Sequence, residues 1–264
     1  MAGVNPTRLR WGACAWLLTL QFFVVEALVQ RRYDGSYSRT DDVISALGAA
    51  DSPAHQLMNA SFVVQAALIL GGALLLRPAF AGAAARVVPV LLGAAAAGVL
   101  FVGVFPTDGD ATVHATGAVL YLVGGGLGLI ALAYAVRPRS EVVASALALL
   151  GVVGTAATVF FLTGVTRHLG EGGTERVAAY VLPIGLALAG AELWRLGSAT
   201  GPDRATRRAD RDRERVEQAE RDRQRDAALE AAAGRAPDIT DAPDTDDPWA
   251  APSRRVERPR RRPS

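Results

Sequence analysis

The stretch VVPVLLGAAAAGVLFVGVF, residues 87–105, decides the fold class. It contains no charged residue, and its length is close to the roughly 20 apolar residues with which a helix crosses a bilayer. A second stretch, VVASALALLGVVGTAATVFFLTGV at residues 142–165, has the same character. Because lipid offers the backbone no hydrogen-bond partner, both stretches predict membrane-spanning helices rather than open strands.

Four further apolar stretches resemble these two, so the sequence predicts an all-α, polytopic membrane protein with a six-helix transmembrane bundle over residues 1–196. The first stretch lacks the small-x-small pattern of a cleaved signal peptide, and we expect it to remain as a helix. The predicted spans are residues 11–30, 55–76, 84–105, 113–136, 141–165 and 177–196.

The charged residues divide the chain into two unlike parts. Residues 196–264 contain 31 charged residues, against 23 in residues 1–195, although the formal net charge is only +2. We therefore expect a polyampholyte tail at 197–264, helical over about 203–233 and then disordered. The balance of charge argues against a basic nucleic-acid binder. Anionic lipid contacts are a candidate role for the terminal arginines Arg254, Arg255, Arg258, Arg260, Arg261 and Arg262.

Arginine is distributed unequally between the loops on the two sides of the predicted bundle. With the N-terminus inside, the inner segments of residues 1–195 hold seven arginines and the outer loops five, and the Arg-rich tail adds to the inner side. The positive-inside rule then predicts a plasma-membrane protein with both termini cytoplasmic.

In this orientation the polar residues collect near the outer face. An imidazole and carboxylate cluster could perform acid–base chemistry or bind a divalent metal, with His114, Asp108 and Asp110 as catalytic candidates. The metal candidates are His55, His114 and His168. The alternative is structural, since Asp108 and Asp110 also suit the start of the fourth helix as capping acids. No H-x-x-x-H or paired-cysteine spacing is present, and Cys14 is the single cysteine, so no cofactor is expected.

Individual polar residues within the spans also need partners. Glu26, an acid in an apolar span, is a functional candidate that could equally reach water or pair with Arg31 or Arg32. Gln21 and Gln65 lie within the first two spans and could bond to each other. The candidate ligand-binding residues are Glu26, Ser45, His55, Asn59, His114, Glu175 and Arg176.

The motifs ISALGAADSPAHQLMN at 44–59 and GVLFVGVFPTDGDATVHATGAVL at 98–120 resemble a bacterial, actinobacterial-type multi-pass membrane family, domain-of-unknown-function family 998. The resemblance covers about residues 10–196 and includes Glu175 and Arg176 after the glycines that precede the sixth helix. It implies a fold and a membrane location, and it implies no activity. The matching residues also include Ser45, Asn59 and His114.

Three functions are compatible with the sequence. The first is a non-enzymatic protein that binds a lipid, a small solute or a partner protein at its extracytoplasmic face, in a pocket that would involve His55, Asn59, His114 and the loop between the first two spans. The second is a membrane hydrolase or transferase with an outer-face His/Asp site, and the third is a proton-coupled transporter that uses Glu26. The spacing of Gly124 and Gly128 predicts close helix packing, either inside the bundle or between two copies, so oligomerisation stays possible.

Overall fold

The computed structural model of the protein describes residues 5–33, 35–199 and 204–234. Within these ranges the chain forms eight α-helices and two short 3-10 helices, and no β-strand. The α-helices are α1 Pro6–Leu18, α2 Gln21–Gln30, α3 His55–Leu76, α4 Ala84–Val104, α5 Ala111–Val136, α6 Glu141–Leu162, α7 Gly170–Ala199 and α8 Arg204–Ala233. The 3-10 helices are Ile44–Gly48 and Arg77–Ala79.

Six helical segments are long and apolar enough to cross a membrane: Pro6–Gln30, His55–Ala79, Ala84–Val104, Ala111–Val136, Glu141–Leu162 and Gly170–Arg195. The first of them joins α1 and α2. The predicted all-α fold with six transmembrane helices is therefore confirmed, and the protein is a multi-pass membrane protein.

The six spans alternate in direction, so the connecting segments lie at two opposite ends of the bundle. We name one of these the loop end; it carries residues 31–54, called the first loop, together with residues 105–110 and 163–169. Hydrogen bonds join its segments: Ala50 N–H donates to Asp108 over 2.9 Å, and Gly173 N–H donates to the carbonyl of Thr40 over 3.0 Å. At the opposite end Arg139 donates to the carbonyl of Ala79.

The first span is tightened at its middle, between α1 and α2. Backbone N–H groups of Thr19, Leu20 and Phe22 bond to carbonyls three residues earlier, the pattern of a 3-10 turn. The buried hydroxyl of Thr19 donates to the carbonyls of Trp16, over 2.6 Å, and Pro183, over 3.2 Å. The irregular segment is thus tied to α7, which satisfies polar groups that lipid could not.

Two helices contain an internal proline, and side chains replace the hydrogen bond that each proline removes. Pro183 has no N–H for the carbonyl of Ala179, and the hydroxyl of Tyr121 donates to that carbonyl over 3.1 Å. Pro89 leaves the carbonyl of Ala85 in the same position, and the guanidinium of Arg77 donates to it over 3.2 Å.

Small residues bring α4 and α5 close together. A Cβ atom added to Gly124 would lie 2.9 Å from the backbone nitrogen of Ala95, and one added to Gly117 would lie 2.8 Å from the carbonyl oxygen of Gly98. The faces that carry Gly117 and Gly124 are therefore used inside the bundle, where close packing provides dispersion contacts.

The helix α8 belongs to a second compact unit, residues 202–264, and is described by itself. Residues 211–232 are exposed, and Glu217 pairs with Arg221 one turn later at 4.0 Å, as opposite charges four residues apart favour. The predicted disordered end of the tail, with its six terminal arginines, lies outside the described residues.

Candidate functional site

The first loop packs against the start of α7, where the sequence is rich in glycine. Gly170 has φ +72°, a conformation that favours glycine, and a Cβ on it would collide with the carbonyl of Thr40. A Cβ on Gly172 would collide with the carbonyl of Asp42. The glycines thus allow the backbone of the first loop to lie directly on the helix.

Arg176, one turn further along α7, fixes this contact. Its side chain is 6% exposed, and Nη1 donates to the carbonyls of Arg39 and Asp42, each over 2.8 Å, and of Gly172 over 3.0 Å. Nη2 donates to the hydroxyl of Tyr37. The guanidinium thus satisfies its donors largely on the backbone of the first loop.

The charge of Arg176 is balanced by Glu26 on α2. Nε of Arg176 lies 3.0 Å from Oε1 of Glu26, whose side chain is 1% exposed, and the hydroxyl of Tyr180 donates to Oε2. Arg39 approaches the same carboxylate at 3.8 Å from a half-exposed position. We call these five residues, Glu26, Tyr37, Arg39, Arg176 and Tyr180, the latch.

The predicted partners of Glu26 were wrong. The sequence offered water, Arg31 or Arg32, yet the carboxylate is buried and pairs with a residue 150 positions later. The reason is the rotation of α2: its acid faces α7, whereas Arg31 and Arg32 follow the end of the helix and are exposed.

Beneath the first loop lies a cavity with about 40 Å³ of space for the centres of water-sized molecules. Three polar residues line it from three elements: Ser45 from the 3-10 helix of the first loop, His114 from α5 and Glu175 from α7. The remaining lining is apolar or aromatic: Phe22, Ile44, Phe62, Val99, Val102, Ala118, Tyr121, Leu122 and Ala179.

The hydrogen bond made by His114 indicates its tautomer. Nδ1 lies 2.8 Å from the carbonyl oxygen of Phe105, which can only accept, so Nδ1 carries a proton. In the neutral ring Nε2 is then an acceptor. His114 is 8% exposed and lines the cavity, and Nε2 makes no hydrogen bond to another described residue.

Only one carboxylate oxygen of Glu175 accepts a hydrogen bond from the described residues. Its Oε2 accepts the N–H of Ile44, which ties the first loop to α7 a second time. Among the described residues no cationic side chain lies within 4 Å of its carboxylate, in contrast to Glu26. Oε1 has no hydrogen-bond partner in the same part of the chain.

The other candidates stabilise the ends of loops. Nδ1 of His55 lies 2.8 Å from the carbonyl of Ser52, and Nδ2 of Asn59 donates to the carbonyl of Gly48 over 2.9 Å. Asp110 caps α5 by accepting the N–H groups of Thr112 and Val113, as the structural alternative predicted. Asp108 accepts the N–H of Ala50 instead.

The three histidines do not form one site. His114 lines the cavity, whereas His55 caps the end of the first loop and His168 lies in a separate groove beside α6 and α7. Over residues 5–33, 35–199 and 204–234 there is no group of three or more His, Cys, Asp or Glu side chains placed to hold a metal ion.

Some of the residues that build the site were not singled out from the sequence. Tyr180 lies four residues after Arg176 and so on the same face of α7, a spacing that could have suggested it. Tyr37 and the aromatic wall residues Phe22 and Phe62 carry no comparable signal.

The predicted bond between Gln21 and Gln65 is confirmed at 3.2 Å.

The fold and the site define a multi-pass helical membrane protein with a small, loop-covered cavity at one end of its bundle. The chain belongs to the family described as protein of unknown function (DUF998), whose profile matches residues 13–192. This match confirms the family resemblance and covers both the latch and the cavity. Neither the comparison with curated proteins nor that with solved structures finds a match.

Proposed function

We propose that this protein binds a small solute in the cavity beneath the first loop, on the extracytoplasmic side of the plasma membrane. The observation that carries the proposal is the convergence of Ser45, His114 and Glu175 on one small cavity. A few polar groups set in an apolar wall are typical of ligand sites. The orientation, with both termini cytoplasmic, rests on the arginine distribution.

The size of the cavity limits the ligand. One water molecule needs roughly 10–15 Å³ of such space, so the cavity holds about three. A lipid acyl chain or a protein segment is larger than this. We therefore favour a small solute, or the headgroup of a lipid, over the lipid tail or partner protein that the sequence also allowed.

Access to the cavity depends on the first loop, because Ile44 and Ser45 form part of its wall. The latch and the bond from Ile44 to Glu175 hold this segment in place. These bonds therefore fix the part of the cavity wall that the first loop supplies.

The alternative functions find less support in the contacts. For a hydrolase, both Asp108 and Asp110 are engaged with backbone N–H groups, and Ser45 makes no hydrogen bond to His114 within the described ranges. For a proton-coupled transporter, Glu26 would have to exchange a proton, yet it is buried with Arg176 and Tyr180 as partners.

Filling the cavity tests the proposal. Ala118→Phe places a ring in the cavity, and Ala115→Phe makes the same change on the exposed side of α5. The thermal unfolding of each protein in uncharged detergent is measured with a panel of small probes: ethanolamine, ethylene glycol, ethanol and acetate. We expect at least one probe to stabilise the native chain and Ala115→Phe but not Ala118→Phe. If no probe does so, or if both variants respond equally, the proposal fails.

The terminal arginines are a separate proposal about the bilayer. Six of them, Arg254, Arg255, Arg258, Arg260, Arg261 and Arg262, would attract anionic headgroups by about 1 kcal/mol each near the surface. Replacing all six by glutamine in the full chain should weaken its capture by anionic vesicles at low salt and leave capture by neutral vesicles unchanged. Equal capture of both proteins would contradict the idea.

A further inference from the structure

We infer that the ligand of the cavity is a small organic ammonium ion, a primary ammonium group on a short carbon chain. The inference rests on the proposed function and adds to it the chemical class of the ligand. Three observations carry it: the charge of Glu175, the number of acceptors in the cavity, and the aromatic wall.

The first observation is a carboxylate without a counter-ion. Arg176 directly follows Glu175 in the chain, but its guanidinium bonds to Glu26 and to backbone carbonyls. Glu175 receives only the N–H of Ile44 from the described chain. A half-buried carboxyl group without a nearby cation is stabilised either by taking up a proton or by pairing with a cation, and an ammonium ion in the cavity would provide the second.

The second observation is the number of acceptors. Oε1 of Glu175, Nε2 of His114 and the hydroxyl of Ser45 all belong to residues that line the cavity, and no bond to another described residue uses them. A primary ammonium group has three N–H donors. A carboxylate or phosphate ligand would instead face the negative charge of Glu175, and an alcohol could satisfy one acceptor only.

The third observation is the wall. The rings of Phe22 and Phe62 lie with their centroids 5.8 Å apart, and Tyr121 joins them in the lining. Aromatic faces attract cations, and the attraction grows when water is excluded. Val99 and Val102 provide apolar surface for the carbon chain.

The volume narrows the class further. Space for about three water molecules corresponds to a chain of up to about four non-hydrogen atoms, so ethanolamine fits and the bulkier tetramethylammonium does not. The same chemistry is present in free amines and in the headgroup of phosphatidylethanolamine, which the experiment must separate.

The test compares ligands that differ in charge and size on the full chain in uncharged detergent. Binding of ethanolamine, ethylene glycol, tetramethylammonium and sodium ion is measured by calorimetry and by the shift of the unfolding temperature. We expect ethanolamine to bind and the other three to bind at least about tenfold more weakly. Equal binding of ethylene glycol, sodium or tetramethylammonium would overturn the inference.

The variant Glu175→Gln removes the charge and keeps an oxygen that can accept the N–H of Ile44. Its matched control is Glu171→Gln, an exposed acid one turn earlier on α7. We expect ethanolamine affinity to fall about tenfold or more in Glu175→Gln and to stay unchanged in Glu171→Gln. An unchanged affinity in a Glu175→Gln protein that unfolds at the native temperature contradicts the inference. If that variant misfolds, Ser45→Ala serves in its place, because it removes an acceptor that no bond to another described residue uses; ethanolamine affinity should again fall, and an unchanged affinity contradicts the inference.

The outcomes separate this inference from the proposed function. If ethanol or ethylene glycol stabilises the native chain but not Ala118→Phe, and ethanolamine stabilises neither protein, the cavity binds solutes and the ammonium inference is wrong. If no probe binds, both the inference and the proposed function are wrong.

Nanodiscs of phosphatidylcholine with and without phosphatidylethanolamine show whether the ammonium group comes from a free amine or from a lipid headgroup. If phosphatidylethanolamine stabilises the protein and weakens the further stabilisation by ethanolamine, the ligand is the lipid headgroup. If the stabilisation by ethanolamine is the same in both kinds of nanodisc, the ligand is the free amine.

Discussion

A single guanidinium decides how the first loop meets the bundle. Arg176 serves three backbone carbonyls, one tyrosine and one carboxylate, and all of these except the carbonyl of Gly172 lie outside its own helix. The planar guanidinium directs its N–H donors to several acceptors at once, and the compact ammonium group of lysine could not make the same set of bonds. The pair with Glu26 therefore differs from the exposed ion pairs of the chain, such as Arg137 with Glu141, which contribute little.

The buried pair gives a prediction about coupling. Glu26→Gln and Arg176→Gln should each destabilise the protein by about 3–5 kcal/mol, because each leaves an uncompensated charge in the interior. The double variant should cost clearly less than the two single changes together. Thermal unfolding of the four proteins in detergent measures this coupling, with Glu171→Gln as the exposed control. Strictly additive losses would show that the two residues do not act as a pair.

Tyr37 gives a prediction about pH. Burial raises its pKa from 10.0 to about 12, although the neighbouring Arg176 acts in the opposite direction. A raised pKa means that the folded state favours the protonated hydroxyl. The stabilisation from Tyr37 is therefore complete below pH 10.0 and is lost as the pH rises through about 12.

Tyrosinate absorbance during an alkaline titration checks this. The difference between the native chain and Tyr37→Phe should show ionisation centred near pH 12, together with release of the first loop. A difference spectrum centred at pH 10.0 would mean that Tyr37 is exposed to water in the protein.

At the scale of elements, the two internal prolines show how a membrane helix tolerates a missing bond. Pro183 has no N–H to donate to the carbonyl of Ala179, and the hydroxyl of Tyr121 donates to that carbonyl instead. Tyr121→Phe should therefore cost about 1–3 kcal/mol, the usual cost of a buried carbonyl left without a partner.

The same change in a Pro183→Ala background should cost little, since the restored N–H of residue 183 can bond to Ala179. Unfolding temperatures of the native chain, both single variants and the double variant provide the comparison. A loss from Tyr121→Phe that is equal in both backgrounds would indicate that the ring, not its hydroxyl, provides the stabilisation.

The glycines of α7 predict how the first loop can be released. Gly172→Ala places a methyl group against the carbonyl of Asp42, whereas the same change at Gly173 meets its nearest atom, Cβ of Leu169, at 3.4 Å. We expect trypsin to cleave after Arg39 faster in Gly172→Ala than in Gly173→Ala or the native chain. Equal rates in all three would show that the close approach of helix and loop does not hold the first loop.

Hydropathy predicted the six helices because a span is a local property of about 20 residues. Helix caps are also local, and they could be predicted for the same reason: Asp110 accepts an N–H of the helix that it precedes. The partner of Glu26 depended instead on the rotation of α2 against α7, which no spacing within either segment specifies.

The sequence predicted a pocket of His55, Asn59, His114 and the first loop, but His55 and Asn59 bond to loop carbonyls and do not line the cavity. The set of Ser45, His114 and Glu175 was not predicted, because these residues meet only after three separate elements have packed.

At the scale of the whole molecule, the loop end and its opposite differ in chemistry. The cavity, the latch and the first loop share one end, which holds five arginines of residues 1–195, while the other end holds seven, among them Arg77, Arg137 and Arg139 near the ends of helices. Because positive residues are retained on the cytoplasmic side, this asymmetry together with the Arg-rich sequence after residue 203 favours an extracytoplasmic cavity.

Cysteine labelling tests this orientation directly, since Cys14 is the single native cysteine and can be replaced by alanine. In that background Asp51→Cys adds an exposed thiol to the first loop, and Pro138→Cys adds one at the opposite end. A membrane-impermeant maleimide should label Asp51→Cys in intact cells and label Pro138→Cys only after the membrane is opened. The reverse pattern would place the cavity on the cytoplasmic side, and a ligand would then reach it from the cytoplasm.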